Sequence, residues 1–176
     1  MPEDPEPWLR GTLSEVEPVR RAVLHALQLA VEDAARWADG LSEQEIFARP
    51  PGLPPVAFQL RHIGRSLDRL LTYAEGRQLN PEQLAALQTE MAPASKKEVL
   101  EEFRAGISLA MERVLSIPPE SFAEPRGVGR KMLPTTVGGL LIHCAEHTQR
   151  HAGQMVTTAK IVVFARSLHA ADTQVR

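Results

Sequence analysis

Apolar residues recur at helical spacing in four long stretches, with polar residues on the faces between them. From about Leu13 to Asp39, Val16, Val23, Leu27, Val31, Ala34 and Ala38 share one stripe, the pattern of a helix that buries one side. Gly40 stops it, and Ser42 with Glu45 has the spacing of a capping box for a short turn. Arg49 to Pro55 reads RPPGLPP, which forbids continuous helix and predicts a stiff connection. A second helix is predicted from about Pro55 to Glu75, ending near Gly76. Asn80-Pro81-Glu82-Gln83 supplies an N-cap followed by proline at the first helical position, opening a short helix to Glu90.

Ser95 caps a third long helix to Leu115, with Val99, Phe103, Ile107 and Val114 inward, and Ile117-Pro118-Pro119 ends it. Ser121 to Pro134, SFAEPRGVGRKMLP, reads as loop. Thr135 or Thr136 then starts a fourth long helix reaching about Phe164. The first and last dozen residues look loose. Strand signals are poor, because alternating β-branched runs are few. The expected fold is all-α, one domain over residues 1–176 built as a four-helix bundle. The links after the first three helices are long enough for crossovers, so simple up-down connection does not follow from the pattern.

Composition narrows the function. A chain of 176 residues buries a core without staples. A net charge of −2 leaves no electrostatic footprint for nucleic acid. The lone cysteine, Cys144, excludes an internal disulfide and suits a reducing compartment. MPEDPEPWLRG is acidic and proline-rich where a signal peptide is basic and then apolar. No apolar run approaches the roughly 18 residues of a membrane span. A cytoplasmic protein with neither nucleic-acid nor membrane partners is expected.

The candidate chemistry lies in the last helix. IHCAEHTQRHAGQ places His143, His147 and His151 four residues apart. On a helical wheel His147 and His151 fall within about 20° of Leu140, on the shoulder of the apolar arc, and His143 about 60° away. Val137, Leu141, Cys144, Thr148 and Met155 fill that arc, so Cys144 is expected to pack. Two imidazoles one turn apart can chelate a metal; neutral boundary packing is the bland alternative. Buried neutral rings need hydrogen-bond partners, and a cation meets that need. Thr148 follows His147, so the general base of a His-Glu-x-x-His protease is missing.

His62 lies on a face of the second helix with Phe58, Gln59, Ser66, Arg69 and Tyr73, away from the apolar stripe of Leu60, Ile63, Leu67 and Leu71. That face reads as a pocket wall or a subunit contact. The wheel permits His62 to reach the last helix without requiring it. Arg61, Arg65 and Asp68 form a stripe expected to be solvated, and Arg126 to Lys131 reads as a solvated basic loop. His25 and His169 are expected on the surface.

In order and spacing, PPVAFQLRHIGRSLDRLLTYAEG and VGGLLIHCAEHTQRHAGQM resemble the DinB-like superfamily, which includes bacillithiol- and mycothiol-dependent transferase relatives. The His-x-x-x-His-x-Gly-Gln element is the most specific part. The resemblance implies a four-helix bundle with up-down-down-up connection, a homodimer, and a divalent metal held by His62, His147 and His151. It makes His143 a pocket group rather than a ligand; Gln59, Arg69 and Tyr73 are further candidates for the pocket. Nitrogen donors favour zinc or nickel and are compatible with iron, copper or manganese. The implied activity is transfer of a low-molecular-weight thiol onto a small-molecule electrophile, with hydrolysis as sibling chemistry. The alternative is a non-catalytic metal- or ligand-binding dimeric bundle.

Overall fold

The computed structural model describes residues 5–174, with side chains described as far as residue 168. The helices in chain order are α1 (Pro18–Trp37), α2 (Glu43–Ile46), α3 (Val56–Ala74), α4 (Pro81–Gln88), α5 (Lys96–Ser116) and α6 (Val137–Gln174). The chain is mostly helical, as its periodicity predicts. Local signals fix most helix starts. Ser42 with Glu45, Asn80 with Gln83 and Ser95 with Glu98 each form a reciprocal capping box. The first helix begins later than Leu13, because Leu13 has a left-handed φ of 58° that a right-handed helix cannot contain. Glu17 caps it instead, accepting from the amides of Val19 and Arg20.

Two stretches differ from expectation. Within residues 121–134, expected as loop, the chain starts a hairpin of β1 (Pro125–Val128) and β2 (Leu133–Thr136), paired antiparallel from Pro125↔Thr136 to Val128↔Leu133. Strands this short and rich in proline and glycine carry no readable alternation. α6 also continues past Phe164 to Gln174, since no proline follows Pro134 to break it.

The long helices pack in a closed ring: α1 against α5 and α6, and α3 against α5 and α6. Leu24, Leu27, Leu60, Ile63, Phe103, Ile107, Leu141 and Met155 are among the side chains buried between them. Gly64 and Gly106 let α3 and α5 approach closely; a Cβ on Gly106 would lie 3.0 Å from the Gly64 Cα. Polar ties run the length of each interface. Gln149 donates to the Ala26 carbonyl at 2.7 Å, and the Lys160 ammonium sits 4.7 Å from the Trp37 ring. Arg20 donates to the Leu115 carbonyl at 3.0 Å and Arg104 pairs with Asp39 at 2.8 Å. Arg61 meets Glu102 at 3.0 Å and Arg113 meets Asp68 at 2.7 Å.

Those last contacts overturn the expectation of a solvated stripe on α3. Arg61 is buried and also donates to the Ala92 carbonyl, while Arg65 holds the Ala86 carbonyl, Thr89 and Glu102. A helical wheel cannot distinguish water from a polar link folded back over the helix. The same reason corrects His25, which is buried rather than exposed. Its Nε2 lies 3.2 Å from the Thr12 hydroxyl, within the N-terminal segment that packs on α1. The side chain of His169 lies outside the described residues. No helix among the described residues is long and apolar enough to cross a membrane.

Candidate metal centre

Helix α3 presents Gln59, His62, Ser66, Arg69 and Tyr73 along one face, and α6 meets it with His143, His147 and His151. The ring centroids of His62 and His151 lie 4.3 Å apart, those of His147 and His151 4.5 Å, and those of His62 and His147 5.1 Å. One ligand atom from each of these three rings lies within 4.8 Å of the others. The Nε2 atoms of His62 and His147 are 2.9 Å apart. Phe58, one turn before His62, stacks on its ring at 5.4 Å and holds its plane.

The outward ring nitrogens have partners of their own. His62 Nδ1 lies 2.9 Å from Glu90 Oε2, and His151 Nδ1 lies 2.6 Å from Gln59 Oε1. Gln59 in turn donates from Nε2 to Gln154 Oε1 at 2.9 Å. A carboxylate and an amide oxygen only accept, so Nδ1 of each ring carries the proton. A neutral ring protonated at Nδ1 keeps its lone pair on Nε2.

Electrostatics keeps two of the rings neutral. Burial, then the neighbouring His151, His62, His143 and Arg150, push His147 down to about 4. Burial, then His62 and Arg150, push His151 down to about 4 against the opposing pull of Glu90. For Glu90 burial favours the protonated acid, but the hydrogen bond from His62, joined by the charge and hydrogen bond of Arg69, outweighs it and holds the carboxyl below its usual range.

This donor set fits a divalent cation. Tetrahedral zinc with Zn–N bonds of about 2.0–2.1 Å sets its nitrogens about 3.3 Å apart. The 2.9 Å pair and the 4.8 Å bound on the whole group bracket that separation. Three imidazole ligands on a tetrahedral ion would leave its fourth position open.

A cavity of 270 Å³ opens beside the triad. His62, His147, His143, Ser66, Arg69 and Tyr73 form its polar wall, and Leu70, Leu79 and Leu87 its apolar wall. His143 is half-buried, 5.4 Å from His147. Gln59 is fully buried and does not line the cavity; it sits behind His151 instead. Cys144 packs in the core, where burial pushes its thiol up to about 12. In the basic stretch, Arg126 is committed to the Ala74 carbonyl and to Glu124.

Glu90 escaped the reading of the sequence, where it marks only the end of a short helix. Its position is set by a link folding over α3, which no periodicity reports. Gln154 carried a signal, since it closes the His-x-x-x-His-x-Gly-Gln element.

A mostly helical protein in which two helices bring three imidazoles together beside a small cavity carries a histidine triad whose geometry could hold a metal ion. The chain matches the DinB superfamily over residues 26–155, a span that includes all three histidines, and it belongs to that superfamily. No curated protein matches the chain.

Proposed function

We propose that the protein is a metal-dependent enzyme acting on a small molecule, with His62, His147 and His151 as ligands of one divalent cation. The observation that carries the reading is the set of outward Nδ1 partners on His62 and His151, which leaves lone pairs converging beside a cavity. A bound cation supplies Lewis acidity, which favours ionisation of a thiol or water. The donor set suits zinc or nickel. Transfer of a low-molecular-weight thiol onto an electrophile is the preferred chemistry, and hydrolysis uses the same parts.

The chain's own side chains divide the remaining work. Leu70, Leu79 and Leu87 exclude water from one side of the substrate. Arg69 and Tyr73 orient its polar groups, and half-buried His143 passes a proton between the cavity and bulk water. The architecture proposed to hold this site is a four-helix bundle with up-down-down-up connection. The ties between helices support it. Residue numbers rise together between α1 and α6 (Ala26 with Gln149, Trp37 with Lys160) and between α3 and α5 (Arg61 with Glu102, Asp68 with Arg113). They run oppositely between α3 and α6 and between α1 and α5. A homodimer is part of the proposal, supported by the apolar cleft of Val19, Ala22, Ala145 and exposed Ile142.

The test is turnover of a thiol-conjugation or ester substrate by protein purified without an affinity tag. Activity lost with chelator and in His147→Ala supports the enzyme. Absence of stoichiometric metal, together with a melting temperature indifferent to chelator, overturns the metal site. Stoichiometric metal without turnover of any such substrate overturns the catalytic reading.

A further inference from the structure

The link between α3 and α5 is longer than a connection requires, and α4 inside it buries no side chain. Apolar burial within α4 itself therefore does not account for its path. Polar ties from α3 do. Arg65 holds the Ala86 carbonyl at 2.8 Å and the Thr89 hydroxyl at 2.9 Å, and Arg61 holds the Ala92 carbonyl at 2.6 Å. Both arginines are braced by Glu102. The pins fall on either side of Glu90, and between them its side chain is pressed inward to 8% exposure.

Burying a carboxylate is costly unless its oxygens find partners. Those of Glu90 reach His62 Nδ1 at 2.9 Å and an Arg69 Nη1 at 3.4 Å. The shorter contact is to the imidazole, the reverse of what neutralising Arg69 alone would produce. Glu90 also lies outside the group of three candidate donors, because it bonds the nitrogen of His62 that faces away from His147.

We infer that Glu90 is a positioning residue for the triad, carried by the α4 link to the back of His62. This rests on the metal-site reading above. The carboxylate fixes the Nδ1–H tautomer of His62, sets the rotation of its ring and makes Nε2 a stronger donor. His151 receives only a neutral amide from Gln59 in the equivalent place. The two helices thus contribute donors with unequal backing, a carboxylate behind His62 and an amide behind His151.

The experiment compares Zn²⁺ affinity in wild type, Glu90→Ala and Glu90→Gln by competition with a chromophoric chelator, on tag-free protein. In parallel, ¹⁵N NMR of metal-free protein reads the tautomer of His62. Glu90→Ala is expected to bind Zn²⁺ about 10–100-fold more weakly, and Glu90→Gln to recover part of the loss by keeping an acceptor without the charge. The His62 ring is expected as a single Nδ1–H tautomer in wild type and as a mixture in Glu90→Ala. If Glu90→Ala does not fold, the near-isosteric Glu90→Gln carries the comparison, with intermediate affinity expected. Affinities within about twofold of wild type, with the His62 tautomer unchanged, overturn the inference. Failure of wild type itself to bind Zn²⁺ refutes the metal-site reading. The His62 tautomer in Glu90→Ala then decides alone whether Glu90 positions the ring: a mixture upholds it, and an unchanged ring overturns it.

Discussion

The Nε2 atoms of His62 and His147 face each other at 2.9 Å across the α3–α6 interface. With Nδ1 of His62 protonated toward Glu90, its Nε2 offers a lone pair, so the pair needs either one proton or one cation between them. Zn²⁺ at a thousand times its Kd stabilises the folded chain by about 4 kcal/mol, a rise in Tm of about 8–16 °C for a domain of this size. His147→Ala and His62→Ala are each expected to abolish that rise, read by thermal unfolding with and without Zn²⁺. A full Zn²⁺ shift in either variant would sink the ligand assignment.

Acid is expected to destabilise the metal-free protein. An ordinary imidazole titrates at 6.5, whereas His147 and His151 are pushed down to about 4 in the folded chain. Between these values the unfolded chain binds more protons than the folded one, so stability rises with pH across the window. The contribution is complete above 6.5 and is lost as the pH falls through about 4. Urea midpoints measured across this range are expected to fall with pH in wild type. They are expected to fall less in a His147→Gln/His151→Gln double variant.

Two glycines separate close packing from helix propensity. Gly106→Ala places a methyl 3.0 Å from the Gly64 Cα, backbone that cannot swing aside. A destabilisation of about 1–3 kcal/mol is expected from overpacking. Gly153→Ala meets nothing within 4 Å inside α6, and is expected to stabilise by up to about 1 kcal/mol. Denaturant unfolding of the two variants checks both signs.

Cys144 is expected to be inert in the native protein. With burial pushing its thiol up to about 12, only about one thiol in ten thousand is ionised near pH 8. Reaction with a disulfide reagent is expected to await unfolding, so its rate will rise steeply with denaturant. Cys144→Ala is expected to leave Zn²⁺ affinity unchanged, because the side chain faces the core rather than the triad.

What was legible in the sequence depended on how local its cause was. Ser42, Asn80 and Ser95 announce their helices because each cap is closed within three residues. His147 and His151 were legible together because one helical turn sets their separation, whereas the face of α3 only permitted His62 to reach them and the family resemblance supplied it as the third member. The environments of Arg61, Arg65, His25 and Glu90 were not. Each is decided by a connecting segment that folds over a helix face, and nothing within one turn of those residues records it. The hairpin escaped for a different reason: Pro125, Gly127 and Pro134 remove the alternation by which strands are recognised.

The ties that hold α4 in place have a kinetic consequence. Hydrogen bonds from arginine to carbonyl can be exchanged for water, whereas a packed core opens only when the whole domain does. Residues 81–92 are therefore expected to detach far more often than the helices beneath them, lifting Leu87 from the cavity wall and Glu90 from the back of His62. Loading and release of an ion at the histidines would then keep time with this brief local peeling, and the rest of the protein would stay folded throughout.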